Sequence, residues 1–453
     1  MYNPHDTICA ISTPPGESAL AVVRLTGADS KSTIEKHIKG NSLKDRQAAL
    51  CDIIDLDNKV IDEVVVIWYK EPRSYTAEDL VEIICHGGHV ISEQILTLLC
   101  ISGARLAEPG EFTVRAFLNG RLDLTEAEAV NSVIKARSSK SKQYALHNLE
   151  GKLKHRLDKI SARLIELITV LEAEIDFDDD EVTKLDLAAK QGKIDEISAL
   201  LSRLISTYDI GRIAEGRAQV AIVGAPNVGK SSIFNRILQT NRAIVTDVPG
   251  TTRDYLSEYV NIGGYPVILT DTAGIRKSDQ EIEQIGVERS RELVDSSDLC
   301  LYVIDASRKI DDRDVVIAEI LYNKPFITLI NKIDLIDDPS ANIGMPLNFD
   351  QIVQTSATTG KGIDNLLTTI QRELLKDVNE TGDGVLLSQR QLNCSVKAAE
   401  QINQAGKANS GAESEEIVVG ILREALEQIG QITGKVTSDD ILNKIFSEFC
   451  IGK

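Results

Sequence analysis

The residues best suited to chemistry lie near the middle of the chain, in the segment Gly224–Ser231. The pattern of Gly, four variable residues, Gly, Lys and Ser is typical of a loop that holds the phosphates of a nucleotide. In such a loop Lys230 supplies charge to the β- and γ-phosphates, and the Ser231 hydroxyl is a ligand for Mg²⁺. An apolar run at 219–223 predicts a strand before the loop, and 232–238 predicts a helix after it. The helix N-terminus then directs its N–H groups at the anion.

Three further segments follow in the order expected for binding a guanine nucleotide. In the first, Asp-Thr-Ala-Gly after a strand-like run, we expect Asp271 to reach the magnesium shell and Gly274 to meet the γ-phosphate. The second is Asn331–Asp334, where the Asp334 carboxylate offers only acceptors and so matches the two N–H donors on the edge of guanine. Adenine lacks that donor pair, so the site is predicted to reject it. Small residues at 355–358 are expected to cap the base with backbone groups.

Hydrolysis of the nucleotide requires groups that position water and complete the magnesium shell. The segment 246–254 lies between the two phosphate-binding segments, and we predict that Thr252 supplies a hydroxyl to Mg²⁺. The residue after Asp-Thr-Ala-Gly is apolar, so it cannot orient the attacking water as a glutamine does. Either Glu281 or Glu283 is a candidate general base acting through water. Asn227 lies inside the phosphate loop and offers a side-chain oxygen as a ligand for a monovalent cation. A cation held there would supply the positive charge that an arginine finger supplies elsewhere.

Composition narrows the classes of protein to consider. The chain has 453 residues, a net charge of −19 and a pI near 4.9, so any contact with nucleic acid must be local or shared with a partner. The length predicts about two to four domains. The seven cysteines are scattered without a C-x-x-C pair, and neither a signal peptide nor a long apolar span is evident. These features predict a cytoplasmic protein with reduced thiols and no membrane span.

Hydrophobic periodicity divides the chain into regions of different type. Residues 1–118 alternate strand-like and helix-like runs and predict an α+β domain. Residues 119–215 and 379–453 carry apolar residues at three- and four-residue spacing, which predicts two parts of one all-α domain. Residues 216–378 contain the nucleotide segments. An α/β domain is therefore predicted to be inserted into the helical domain.

Several polar residues in these regions allow two interpretations. Arg24 interrupts an apolar strand, Glu82 lies among apolar residues, and His86 precedes two glycines at a strand end, but solvent exposure explains such residues as readily as ligand binding.

The helical region has an acidic run at 172–181 and a basic run. The basic run is the better candidate for contacting RNA phosphates, although a solvated face is the simpler interpretation. Its members are Lys135, Arg137, Lys140, Lys142, Lys152, Lys154, Arg156 and Lys159.

The chain resembles the MnmE (TrmE) family of tRNA modification GTPases from end to end. The resemblance implies a folate-binding-like α+β N-terminal domain, an all-α helical domain and an inserted α/β P-loop GTPase domain. It also implies a GTP hydrolase in which hydrolysis drives conformational cycling. Besides the four nucleotide segments, the residues that carry the resemblance are Pro14–Gly16, Val23–Gly27, Ser74–Asp79, His86–Gly88, Pro109–Phe112, Ala116–Leu124, Gly250–Asp254 and Phe449–Lys453.

Cofactors and partners follow from the same resemblance. Members of the family are expected to be homodimers that form a heterotetramer with MnmG, a flavin- and NADH-dependent protein. The complex is expected to add an aminomethyl or carboxymethylaminomethyl group to C5 of the wobble uridine of certain tRNAs. The implied ligands are GTP, Mg²⁺, K⁺ and a tetrahydrofolate derivative in the 5-formyl or methylene form.

The resemblance also assigns roles to individual residues. It implies Glu283 as the general base rather than Glu281. Cys450 is the family's C-terminal cysteine and a candidate catalytic thiol, although a partner-facing thiol or a buried structural thiol fits the position as well. Potassium ligands fall on Asn227, Thr246, Val248 and Thr251, and magnesium ligands on Ser231 and Thr252. Folate contacts fall on Arg24, Glu82, Arg121 and Lys453, with Lys453 expected beside Arg24 and Glu82. The nucleotide contacts fall on Asn227, Val228, Gly229, Lys230, Ser231, Ser232, Thr246, Asp247, Val248, Pro249, Gly250, Thr251, Thr252, Asp271, Thr272, Ala273, Gly274, Asn331, Lys332, Asp334, Ser356 and Ala357.

Two positions depart from the pattern, and two other functions remain open. Arg121 stands where relatives often carry lysine, which keeps the charge but changes the shape, and Pro249 stands where some carry alanine.

The nucleotide segments alone also fit a ribosome-assembly GTPase or a signalling GTPase without modification chemistry. The N-terminal region and the terminal Cys-Ile-Gly-Lys favour the modification GTPase.

Overall fold

The structure, a computed structural model, describes residues 6–40, 42–176, 185–241, 256–271, 291–322, 324–336, 351–376, 384–411 and 413–452. The chain forms two compact units, one made of Met1–Asn131 with Glu427–Lys453 and the other of Ser132–Leu426. Among the described residues, no helix has the length and apolar character needed to cross a membrane. The domain boundaries expected after residues 118, 215 and 378 remain predictions.

The first unit is built on a sheet that confirms the α+β expectation for the N-terminal region. Its strands are β1 (Ile8–Ile11), β2 (Leu20–Thr26), β3 (Ile38–Gly40), β4 (Ala48–Ile54), β5 (Val60–Tyr69), β6 (Leu80–His86) and β7 (Arg105–Leu106). Their order is β3-β4-β5-β6-β2-β1-β7, antiparallel except for the parallel pair β1 and β7. One face of the sheet packs a core with α2 (His89–Ile101), which follows α1 (Ser30–Glu35) in the chain.

The C-terminal segment of the chain packs into this first unit. Here α3 (Glu111–Leu118) and α4 (Leu124–Lys135) meet α14 (Asp439–Phe446), and Phe446 and Phe449 share a buried cluster with Leu124 and Ala127. Gly110 has a φ of 72°, and a Cβ there would lie 2.7 Å from the carbonyl oxygen of Phe446. A side chain at this position would therefore push the C-terminal segment away from α3.

The second unit contains a six-stranded sheet with the predicted α/β character. Its strands are β8 (Ala218–Val223), β9 (Leu256–Ile262), β10 (Tyr265–Asp271), β11 (Leu299–Asp305), β12 (Phe326–Asn331) and β13 (Ile352–Gln354). The order is β13-β12-β11-β8-β10-β9, and only β9 runs antiparallel to its neighbour. Strand β11 is buried along its whole length, as expected for a parallel strand covered on both faces. The flanking helices are α9 (Lys230–Asn241), α10 (Asp312–Ile320) and α11 (Ile363–Leu374).

Long helices make up the rest of the second unit. They are α5 (Ser139–Leu149), α6 (Lys152–Asp176), α7 (Leu187–Ile205), α8 (Tyr208–Ala214), α12 (Gln389–Ser410) and α13 (Glu415–Thr433), the last of which contains the boundary at 426/427. The apolar spacing predicted for α6 is confirmed, because Leu157, Ile160, Leu164 and Leu171 are buried along one face. Asn148 on α5 exchanges two hydrogen bonds with the backbone of Val385, at 2.7 and 3.1 Å. The chain segment that precedes the six-stranded sheet therefore contacts the segment that follows it.

Candidate functional site

The phosphate loop joins β8 to α9, as the sequence predicts. Two glycines are required at its ends. Gly224 has a φ of 156° and its Cβ would lie 2.5 Å from the carbonyl oxygen of Val303, while Gly229 has a φ of 101° and its Cβ would lie 2.3 Å from Nδ2 of Asn331. Any side chain would displace either the neighbouring strand or the base-binding segment. The loop is thus held close to both strands that flank the nucleotide site.

Lys230 is buried at the start of α9, with 9% of the residue exposed. Its Nζ donates hydrogen bonds to the carbonyls of Gly224 and Ala225, both at 2.9 Å. Burial lowers the pKa of the ammonium group, and the Asp271 carboxylate opposes that shift. The amine is therefore held over the loop, where its charge can act on bound phosphate.

The structure brings together Ser231 and Asp271, two of the side chains that the sequence predicts around Mg²⁺. The Ser231 Oγ donates to Oδ2 of Asp271 at 2.7 Å, and Asp271 is 1% exposed at the end of β10. Parallel pairing of β8 and β10 places Asp271 opposite Ile222, one residue before the end of β8. A hydroxyl and a carboxylate are the oxygen donors that Mg²⁺ prefers, so this pair fits the ion.

The segment predicted to bind the base is linked to the phosphate loop by two side chains. Nδ2 of Asn331 donates to the carbonyl of Val228 at 2.9 Å, and its Oδ1 accepts from the amide of Ala357 at 3.1 Å. Nζ of Lys332 donates to the carbonyl of Asn227 at 2.9 Å. The end of β12 is therefore connected both to the phosphate loop and to the segment predicted to cap the base.

Asp334 lies at the edge of an open pocket of about 560 Å³ that Ser356, Gly360 and Lys361 also line. The carboxylate is exposed, which is the environment required to accept hydrogen bonds from an incoming base. Residues from two separate chain segments, both predicted to bind the base, thus line one pocket. Guanine is the base whose adjacent N–H donors match a carboxylate there.

Part of the predicted nucleotide site lies outside the described residues. The described members, Asn227 to Ser232, Asp271, Asn331, Lys332, Asp334, Ser356 and Ala357, gather at the ends of β8, β10 and β12 and in the loop after β13. The predictions that fall outside the described residues are Thr246, Asp247, Val248, Pro249, Gly250, Thr251, Thr252, Thr272, Ala273, Gly274, Glu281 and Glu283. Asn227 is the one proposed potassium ligand that is described, and it is exposed.

A second candidate site lies on the sheet of the first unit. Arg24 on β2 and Glu82 on β6 stand directly opposite each other, and Nη2 of the arginine is 2.8 Å from Oε1 of the glutamate. The hydroxyl of Tyr69 donates to the other carboxylate oxygen, Oε2, at 3.2 Å. Nη1 of Arg24 also donates to the carbonyl of Gly452 at 3.3 Å. The residue before Lys453 thus contacts this pair, and Lys453 itself lies outside the described residues.

Aromatic and basic groups complete this second site. An open pocket of about 460 Å³ is lined by Tyr69, Tyr75, Glu82 and Arg121. The guanidinium carbons of Arg24 and Arg121 lie 5.8 and 5.1 Å from the centre of the Tyr75 ring. A pterin offers a flat ring and N–H donors, and a folate tail offers carboxylates, so aromatic faces, Glu82 and two guanidiniums fit that ligand.

Sequence reasoning did not identify the two tyrosines of this pocket. The signals were present, because Tyr69 ends the strand that pairs with β6, and Tyr75 belongs to the Ser-Tyr-Thr segment that carried the family resemblance. The structure does not bring His86 into the lining of the pocket. Instead Nδ1 of His86 lies 2.7 Å from Oδ1 of Asp62.

The remaining predicted features are distributed elsewhere. The Cys450 thiol is exposed, and the carbonyl of this residue accepts from the amide of Gly110 at 3.4 Å. In the basic run, Arg156 donates to the carbonyl of Gly384 at 2.8 Å and Arg137 stacks on Tyr259 at 4.0 Å. These two arginines therefore contribute to packing within the second unit, while Lys142 and Lys159 are exposed.

The phosphate loop, the Ser231–Asp271 pair and the pocket at Asp334 define a P-loop GTP-binding protein. A family model described as "GTP-binding protein TrmE N-terminus" matches residues 7–121, and one described as "MnmE helical domain" matches residues 124–450. The tRNA modification GTPase MnmE of Thermoanaerobacter pseudethanolicus is 41% identical over 457 residues, covering 99% of each chain. That of Thermotoga maritima is 38% identical over 451 residues, covering 99% of this chain and 100% of the relative. The chain therefore belongs to the MnmE family of tRNA modification GTPases.

One solved structure is similar to part of the chain. The crystal structure of a point variant of Aquifex aeolicus Era bound to GDP·AlF₄⁻ is 32% identical and covers 40% of this chain and 66% of that chain, with a TM-score of 0.27.

Proposed function

We propose that this protein is a potassium-dependent GTPase that acts with MnmG, a flavin- and NADH-dependent partner. Together they add an aminomethyl or carboxymethylaminomethyl group to C5 of the wobble uridine of certain tRNAs. The observation that carries the proposal is the presence, in one chain, of a phosphate-binding loop and of a separate pocket lined by Glu82 and Arg121, with Arg24 paired to Glu82. A GTPase with no further chemistry has no need for the second pocket.

In the proposed nucleotide site, each described side chain has a definite task. Lys230 neutralises phosphate charge, Ser231 and Asp271 hold Mg²⁺, and Asp334 accepts the two N–H groups of guanine. The magnesium ion, when bound, offsets the charge that develops on the phosphates during hydrolysis. Glu283 is proposed to accept a proton from the attacking water through a bridging water, which a glutamate can do from a distance.

Monovalent cations have a proposed role beside the phosphate loop. Asn227 is proposed as a potassium ligand together with Thr246, Val248 and Thr251. Thr252 is proposed as a further magnesium ligand beside Ser231 and Asp271. The left-handed backbone of Asn227, with a φ of 65°, is held by Lys332, which supports a fixed donor position at this residue. Potassium held there supplies positive charge that a GTPase without an arginine finger otherwise lacks.

In the proposed folate site, the charged groups recognise the two ends of the ligand. Glu82 accepts from the N–H groups of the pterin, while Arg24, Arg121 and Lys453 attract its oxygen atoms and the carboxylates of its tail. The tetrahydrofolate derivative, when bound, supplies the one-carbon unit. The exposed thiol of Cys450 is proposed to act beside this folate site, because Gly452, two residues further on, contacts Arg24.

The wider assembly is also part of the proposal. We expect a homodimer that forms a heterotetramer with MnmG in the cytoplasm, and an inserted GTPase domain that cycles between conformations as GTP is hydrolysed. The chain carries a net charge of −19, so contact with tRNA must be local or shared with the partner. The exposed Lys142 and Lys159 are candidates for such a local contact.

Reconstitution tests this proposal. The purified chain, MnmG, tRNA, GTP and a tetrahydrofolate derivative should yield modified wobble uridine, and GTP turnover should be faster in KCl than in NaCl. Equal turnover in the two salts contradicts the cation site, and a product that forms equally well without folate contradicts the second pocket. A ribosome-assembly role predicts GTP-dependent ribosome binding and no change in tRNA nucleosides.

A further inference from the structure

One arginine ties the base-capping loop to the helix that binds the phosphates. Nε of Arg236, on α9, donates to the carbonyl of Ala357 at 2.8 Å, and its Nη2 donates to the carbonyl of Thr358. Lys230 and Ser231 begin the same helix. A single rigid element therefore contacts both the phosphate-binding and the base-capping parts of the proposed nucleotide site.

The loop that Arg236 holds is the wall of the base pocket. The amide of Ser356 donates to the carbonyl of Lys361 at 2.9 Å, and the amide of Gly360 donates to the carbonyl of Ser356 at 2.8 Å, which closes a tight turn. A Cβ on Gly360 would lie 3.9 Å from the Arg236 guanidinium, so the guanidinium packs behind this wall. Four of the pocket-lining residues, Ser356, Thr359, Gly360 and Lys361, thus belong to the same turn as the two carbonyls that Arg236 holds.

The loop is fixed from two sides by different side chains. The amide of Ala357 donates to Oδ1 of Asn331 at 3.1 Å, while the carbonyl of the same residue accepts from Arg236. Asn331 comes from the base-binding segment at the end of β12, and Arg236 comes from α9. Without the arginine, the turn would keep its hydrogen bond to Asn331 at the end of β12 but lose both hydrogen bonds to the phosphate-binding helix.

We propose that Arg236 is a positioning residue that sets the guanine-capping loop relative to the phosphate loop, and so contributes to guanine-nucleotide affinity. The inference rests on the proposed nucleotide site. Arginine suits this task because its planar fork bonds two successive carbonyls at once, whereas lysine offers a single point charge. Arg236 acts through the loop rather than by touching the reacting phosphate.

This role predicts a specific split between binding and chemistry. The loop meets the base, so its displacement weakens binding of every nucleotide that contains guanine or the closely related hypoxanthine. The phosphate loop keeps Lys230 and Ser231 in place, so the hydrolysis of GTP that is already bound is unaffected. A residue that merely stabilises α9 would instead disturb both properties together.

The test compares full-length Arg236→Ala, Arg236→Lys and a matched control, Arg372→Ala. Arg372 is an exposed arginine of the same unit that bonds to Gln351 and not to the capping loop. Dissociation constants are measured for GDP, IDP and ADP by calorimetry, and single-turnover hydrolysis is measured with saturating GTP. We expect Arg236→Ala to bind GDP and IDP about tenfold more weakly, a change of about 1.4 kcal/mol. Arg236→Lys should lose less, and both variants should keep the wild-type single-turnover rate.

Three results decide the proposal. Unchanged GDP affinity in a folded Arg236→Ala protein overturns it, and so does a single-turnover rate that falls in proportion to the affinity. If the alanine variant does not fold, Arg236→Lys decides, and wild-type affinity in that variant overturns the proposal. A wild-type protein that binds ADP as tightly as GDP contradicts the proposed nucleotide site itself, which is a separate failure.

Discussion

Lys332 and Asn227 both have a φ of 65°, and a hydrogen bond of 2.9 Å joins the Nζ of the first to the backbone carbonyl of the second. Left-handed backbone costs a residue other than glycine about 1–3 kcal/mol, so the surrounding contacts must hold it in place. Asp305 contributes one of those contacts, since its Oδ2 lies 2.6 Å from the same Nζ. The segment proposed to bind the base and the phosphate loop are therefore linked through two residues with left-handed backbone and one carboxylate.

Asp305→Asn is expected to weaken this link. The substitution removes the charge that holds Lys332, so Asn227 loses a fixed partner and GDP affinity should fall about tenfold, a cost typical of a lost charge-assisted hydrogen bond. Calorimetric titration of GDP measures the effect, with Glu319→Gln on the exposed side of α10 as the control. Wild-type GDP affinity in the Asp305→Asn variant would show that Lys332 holds Asn227 without help from the carboxylate.

The same carboxylate predicts a pH dependence of stability. Burial raises the pKa of Asp305, but hydrogen bonds from Lys332 and Ser307 outweigh it and hold the pKa below its ordinary value of 3.8. A depressed folded-state pKa stabilises the folded protein above about pH 4, and this contribution disappears as pH falls through the folded value. The difference in unfolding free energy between wild type and Asp305→Asn should therefore be constant from pH 7 to about pH 5 and shrink below pH 4. A difference that grows on acidification contradicts this assignment.

Asp334→Asn should change base preference as well as affinity. An asparagine amide places a donor against one of the N–H groups of guanine, so GTP binding should weaken by about a hundredfold or more. Xanthine carries a carbonyl where guanine carries its amino group, so the variant should gain affinity for XTP. Competition between GTP and XTP for the two proteins measures the switch. An unchanged preference for GTP rules out Asp334 as the group that reads the base.

Sequence reasoning identified these segments because their chemistry is local in the chain. The phosphate loop and Asn331–Asp334 each lie within eight residues, and their strand context follows from short apolar runs. Contacts that depend on strand register were harder to foresee. Pairing of β5 with β6 brings Tyr69 to Glu82, and only the folded loop after β13 brings Arg236 to Ala357. Distances between segments far apart in the chain are set by packing, which no local pattern encodes.

Glu82→Gln tests the second pocket. Glutamine keeps the size of the side chain but loses the charge that pairs with Arg24, so binding of 5-formyltetrahydrofolate should fall about tenfold or more. Glu63→Gln, on the exposed part of β5, is the matched control. Fluorescence or calorimetric titration of both variants gives the comparison. If the two variants bind alike, the proposed pterin contact is not at Glu82.

Arg115→Met tests a structural network of the first unit. Arg115 is 0% exposed and its guanidinium lies 2.6 Å from Asp6 and 3.0 Å from Glu78. Removing it takes one cationic partner from the half-buried carboxylates of Asp6 and Glu78, although Asp6 keeps its ion pair with Arg105. The free energy of unfolding should therefore fall by about 1–3 kcal/mol. Trp68, the single tryptophan of the chain, lies in β5, so its fluorescence during urea unfolding reports on this unit. The exposed Arg73→Met is the control, and equal stability of both variants contradicts a structural role for the buried arginine.

Nucleoside mass spectrometry of tRNA tests the central claim most directly. Cells lacking this gene are complemented with the wild-type chain, with Glu82→Gln or with Glu283→Ala, and the wobble uridines are compared. The account predicts that C5-aminomethyl or C5-carboxymethylaminomethyl uridine is lost without the gene, returns with the wild type, and stays low with either variant. Modified uridine at normal levels in cells without the gene would contradict the account.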